Sequence, residues 1–170
     1  MKKLQKKGYQ TLKMCHLFIA GTWVGSDIVI ILLLALLNGK NITNYLDIVL
    51  LVDWAIVIPC AFLCLVTGIL FSVFTNWGFI KHRWIVIKYL VNLFPIISGI
   101  VFHGAQLQNM IHIADELGAN ALTNSAFRSN YFGFFGVSIL YTALFVFVYI
   151  ISVNKPKFGK KNNKMAVLTT

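Results

Sequence analysis

A chain of 170 residues would ordinarily make one water-soluble domain, but 58% of this one is apolar and its mean hydropathy is positive, which places it in the membrane class. The formal net charge of +10 comes from lysines and arginines gathered at the ends of apolar runs, so membrane topology and anionic headgroups account for it and nucleic acid is excluded as a partner. Cys15, Cys60 and Cys64 all lie inside apolar runs, and an odd number of thiols in lipid excludes a disulfide framework.

The apolar runs cover roughly 12–37, 46–74, 84–112 and 131–153, each near or above the ~20 residues that cross a bilayer core. The sequence therefore predicts an all-α fold, a transmembrane four-helix up-and-down bundle spanning 1–154, followed by a flexible basic cytoplasmic tail over 155–170. Lys2, Lys3, Lys6, Lys7 and Lys13 precede the first run, Lys81, Arg83 and Lys88 mark the second connection, and Lys155, Lys157, Lys160, Lys161 and Lys164 follow the last. These three regions fall on one side of an up-and-down chain, and retention of cations in the cytoplasm makes it N-in and C-in. The opening lysines resemble those of a signal peptide, yet the apolar run behind them is too long and lacks a small-x-small exit, so it reads as a retained helix.

In chain order, the first run carries His16, Ala20, Trp23 and Asp27 on one face, with His16 low and Asp27 near the midplane. Gly21 and Gly25 form a small-xxx-small pair beside that face, a packing feature. Asn38-Gly39 ends the helix, and the short link after it sets the second helix antiparallel to the first. Asn41-Ile42-Thr43 fits a glycosylation pattern by accident. In the second run Asp53, Cys60, Cys64 and Thr67 share a face; Asp53 lies about two turns inside and needs a partner, protonation or water. Pro59 frees the carbonyl of Ala55 and bends the helix. Cys60 and Cys64, four apart, are read as packing rather than as soft metal ligands.

Trp77, Lys81, Arg83 and Trp84 form a membrane-interface anchor, rings at headgroup depth and cations on the phosphates. The third run has the one continuous polar stripe in the chain: Lys88, Asn92, Pro95, Gly99, His103 and Gln106 fall within about 80° at 100° per residue. Beyond Gln108 the helix continues amphipathically toward Asp115, and 117–129 reads as the longest external loop, with a short surface helix as the alternative. The fourth run has no charge within its span and offers Ser138, Thr142, Tyr149 and Ser152 as a hydroxyl-bearing wall.

A rise of about 1.5 Å per residue sorts the polar groups by depth. Asp27, Asp53, His103 and Gln106 come out near or above the midplane as the candidate ion or proton site. His16, Thr67, Lys88 and Asn92 come out below it as an inner polar path. Two carboxylates with an imidazole can bind or relay a proton or small cation, and this is the leading functional reading; no covalent catalysis is implied. A haem-associated or redox subunit using His16 is the second reading; His16 and His103 lie about 20 Å or more apart in depth, too far to share one iron. A structural membrane partner whose stripe only specifies packing is the third. Haem or a metal ion remains open as cofactor, and the lipid bilayer, a second copy or another membrane protein as partner.

His16 with Trp23 and Gly25, Asp53-Trp54 with Pro59, Thr67-Gly68, Trp84 and Gln106 together resemble a family of small bacterial integral membrane proteins of unknown function. That family is similar in outline to the copper-resistance D type of membrane domain. The resemblance implies a compact four-helix bundle in the bacterial cytoplasmic membrane, with His16 and Asp53 as its most distinctive polar positions, and assigns no reaction. The methionine-rich and His-rich segments that would capture copper are missing from this sequence; Met14 and Met110 stand alone.

Overall fold

The computed structural model describes residues 4–75 and 83–154, all as helices and the short links between them. Helix α1 covers Lys6–Ala35; α2 (Ile42–Val52) and α3 (Ile58–Phe74) are joined without a break by a π turn, Asp53–Val57. Helices α4 (Arg83–Ser98) and α5 (Gly104–Leu117) are likewise joined by a second π turn, Gly99–His103. A 3-10 turn, Gly118–Thr123, then leads into α6, Ser125–Asn154. Four continuous helical stretches are long and apolar enough to cross a membrane: Lys6–Ala35, Ile42–Phe74, Arg83–Thr123 and Ser125–Asn154.

These spans close into a ring. The first packs on the second and the fourth, and the third packs on the second and the fourth. Successive neighbours along the chain are therefore neighbours in space, as short links between antiparallel helices require. One end of the ring carries the two short links, 36–41 and 118–124; the opposite end carries Leu4, whose backbone N–H donates to the Phe74 carbonyl at 3.1 Å.

The link end is more compact than the sequence suggested. Asn38 and Asn41 wrap the first link in their own amides: Asn41 Oδ1 accepts from the Asn38 N–H at 2.7 Å, and Asn41 Nδ2 donates to the Leu36 carbonyl at 3.2 Å. Where 117–129 was expected to be a loop, Gly118 turns the chain at φ 54°, a left-handed conformation that glycine adopts without strain, and α6 starts six residues early. Asn124 caps it, its Oδ1 accepting from the N–H groups of Ala126 and Phe127 at 2.9 and 3.1 Å. Ala121 and Phe127, apolar residues inside the supposed loop, are buried core. A Cβ on Gly39 would meet the Cβ of Ala119 at 3.1 Å, so the two links touch.

Two apolar clusters stack along the bundle. The one at the link end contains Ile30, Leu34, Leu46, Val49, Leu107, Met110 and Phe127 among others. The second, nearer the terminal end, holds Trp23, Ala61, Cys64, Tyr141 and Phe145. Large apolar side chains such as Phe18, Trp54, Phe62, Ile100 and Phe102 point outward, as a lipid-facing surface demands. Gly21 and Gly25 also face outward, with nothing of this chain within 4 Å of a Cβ built on either, so the expected close helix approach is not made inside the bundle.

Candidate functional site

Between the two apolar clusters lies a layer of polar side chains to which all four spans contribute. In α1, Asp27 follows Trp23 of one cluster by four residues and precedes Ile30 of the other by three. Its side chain is only 5% exposed, and its Oδ2 accepts a hydrogen bond from Thr142 Oγ1 of α6 at 2.5 Å. Asp53, the first residue of the first π turn, is half-buried and lies within electrostatic range of Asp27. Among the described residues no lysine, arginine or histidine pairs with either carboxylate; the one ion pair there joins His112 and Glu116, exposed on α5.

The π turn at Asp53 has a local cause. Pro59 has no N–H to offer the Ala55 carbonyl and its ring crowds that carbonyl, so the turn ahead of it widens and is closed by the Ile58 N–H reaching back five residues to the Asp53 carbonyl. Where a bend was expected at Pro59, the structure has this wide turn one residue ahead of it. In the third span the Gly104 N–H reaches back to the Gly99 carbonyl in the same manner, and His103 is the last residue of that turn. Asp53 and His103, the ion-site candidates of the middle spans, thus both sit in π turns.

The His103 ring lies flat on Phe134, centroids 3.6 Å apart and planes at 11°, and its Nε2 is 3.3 Å from Ser138 Oγ of α6. Its other edge meets Tyr141 at 5.4 Å between centroids. Tyr141 links His103 to the carboxylates: it is buried, within electrostatic range of both Asp27 and Asp53, and its hydroxyl is 2.6 Å from Ser98 Oγ. Ser98 Oγ spends its one proton on the Phe94 carbonyl at 2.5 Å, so it accepts from Tyr141. Gln106 stands one turn beyond His103 and presses on Gly133, where a Cβ would come within 2.5 Å of its Nε2.

Toward the terminal end a second polar set forms. His16 Nδ1 is 2.7 Å from Thr67 Oγ1, and Thr67 donates its own proton to the Leu63 carbonyl at 2.8 Å. The threonine therefore accepts from His16, which fixes the proton on Nδ1 and leaves Nε2 as a lone pair. Asn92 Nδ2 donates to Cys64 Sγ at 3.7 Å, and Lys88 lies within electrostatic range of His16 and Cys64. Lys88 Nζ also sits 4.9 Å above the Trp84 ring, a cation–π contact. Of the anchor residues, Trp84 and Arg83 open α4, while Trp77 and Lys81 lie outside the described residues, as does the 155–170 tail.

The structure thus gathers Asp27 with Asp53, and His16 with Thr67 and Lys88. Among the described residues His103 has no hydrogen bond or ion pair with either carboxylate; Tyr141 touches its ring and lies within electrostatic range of both. His16 and His103 have different hydrogen-bond partners, Thr67 and Ser138. No group of three or more His, Cys, Asp or Glu side chains is placed to hold a metal ion among the described residues. Tyr141 and Ser98 were not singled out in the sequence, since a hydroxyl in an apolar helix gives no signal until its partner is known.

Four helices long and apolar enough to cross a membrane agree with a family model that matches the chain. The model "Predicted integral membrane protein (DUF2269)" matches residues 10–156, nearly the whole membrane-spanning part. The chain belongs to this family. The match covers every residue of the polar layer and of the inner set. No curated protein and no solved structure matches the chain.

Proposed function

We propose that this integral membrane protein binds an exchangeable proton or small monovalent cation at Asp27 and Asp53 and relays it along the polar groups of the bundle. One observation supports this above the others. Two carboxylates lie within electrostatic range of each other, between apolar clusters, and the described residues provide no cation to either. Charges left unpaired in such surroundings are costly, and a bound proton or cation removes the cost. The Thr142 hydroxyl donates to Asp27, the hydrogen-bonded Tyr141–Ser98 pair adds polar groups beside the carboxylates, and His103 adds a base next to Tyr141. Asn92, Thr67, His16 and Lys88 continue the path toward the terminal end. Asp27, Asp53, His103 and Gln106 are the site; no covalent step is needed.

The test is proton or cation uptake by vesicles containing the purified full chain, with Asp53→Asn beside wild type. Uptake that falls in the variant, with the fold retained by circular dichroism, supports the reading. Unchanged uptake in a folded variant overturns it and leaves a bundle whose polar stripe serves packing alone.

His16 carries a second reading, that of a haem-associated or redox subunit. Its Nδ1 proton is committed to Thr67, the arrangement that frees Nε2 for an axial bond. A Soret band in the absorbance of the purified protein, lost in His16→Ala, would establish it.

A further inference from the structure

We infer that His103 Nδ1 and Gln106 Oε1 share one bound water molecule at the link-end edge of the polar layer. Both atoms are shut off from the surface, and neither finds a partner in the protein among the described residues. Three residues apart on one helix, they face the same side one turn from each other. Neither can swing away to satisfy itself. Stacking on Phe134 and the Ser138 contact hold the imidazole plane, and Gly133 receives the Gln106 amide so closely that a Cβ there would approach Nε2 to 2.5 Å.

The chemistry of the pair selects the ligand. A glutamine Oε1 only accepts, whereas Nδ1 donates or accepts according to whether Ser138 gives its proton to Nε2 or takes one from it. Water donates twice and accepts twice, so it serves the pair in either tautomer, and buried waters are held in this way by polar groups that the protein leaves over. A cation would suit only the tautomer with a lone pair on Nδ1 and would have two ligands. The water extends the polar layer past His103 toward the link-end apolar cluster. It rests on the geometry of His103 and Gln106 and stands whether or not protons pass through it, so its failure and that of the relay are read separately.

The full chain, labelled with 15N-histidine and reconstituted in phosphatidylcholine vesicles, tests this by solid-state NMR. Magnetisation transfer from water protons to His103 Nδ1 is expected in wild type and lost in Gln106→Leu, while the Ser138 contact at Nε2 persists and reports the fold. Gly133→Ala, which drives the amide from its seat, is expected to lose the same transfer if Gln106→Leu does not fold. No transfer in wild type overturns the inference, as does transfer undiminished in either folded variant. A His103 Nδ1 signal that moves when sodium replaces choline in the buffer also overturns it, in favour of a cation.

Discussion

Asp27 shows how a single hydroxyl decides the fate of a buried acid. Asp27 lies along α1 between Trp23 and Ile30, and among the described residues Thr142 supplies its one side-chain hydrogen bond. Thr142→Val keeps the shape and deletes that donor, so we expect a loss of about 1–3 kcal/mol, the usual consequence of stranding a buried acceptor, read as a lower Tm in detergent or nanodiscs. Ser152→Val is the control: among the described residues its hydroxyl bonds only to the Val148 carbonyl of its own helix, and the Tm should stay within about a degree. At this scale the sequence was partly legible. His16, Asp27, Asp53 and His103 stand out because ionisable groups are expensive in apolar helices, and the structure puts each beside polar neighbours. Tyr141 and Ser98 were invisible because tyrosine and serine are ordinary residues in such helices, and only their 2.6 Å contact distinguishes them.

Among the elements, the two π turns have a signature that the polar stripe concealed. Pro95, Gly99, His103 and Leu107 follow at consecutive steps of four, and on a pure α-helix each such step drifts by about 40°. Three steps would carry Leu107 about 120° off the face that Pro95 buries, and one inserted residue in the π turn takes back about 100° of it. Pro95 and Leu107 are both buried, as the corrected phase requires. Asp53, Val57 and Ala61 repeat the pattern in the second span, with Val57 packed against both apolar clusters. Pro59→Ala restores the missing N–H, so the turn is expected to close to an α-turn and rotate Asp53 by about 100° relative to α3. Uptake that depends on Asp53 should then fall with helix content retained. Hydropathy made the four spans legible; it could not reveal the early start of α6, which depends on the Asn124 cap, a local signal that hydropathy does not register, and on the burial of Phe127, a product of tertiary contact.

Taken whole, the molecule is a closed ring of four spans with apolar side chains turned outward and a polar layer within. The distribution of lysine and arginine leads us to expect the ends of the chain on the cytoplasmic side. In a cysteine-free background, Lys2→Cys and Lys164→Cys should be labelled by an impermeant maleimide from the cytoplasmic face, and Lys40→Cys and Arg128→Cys from the opposite one. Labelling of positions 2 and 164 from opposite faces would refute the arrangement. The meeting of Gly39 with Ala119 has a mechanical corollary. Those two bends are pinned to each other, so the molecule is built like a clothes-peg whose spring is at the pinned end. Solvent is therefore expected to reach the buried acids more readily from the other end, where α4 buries Ile85 and Pro95 alone of its own residues.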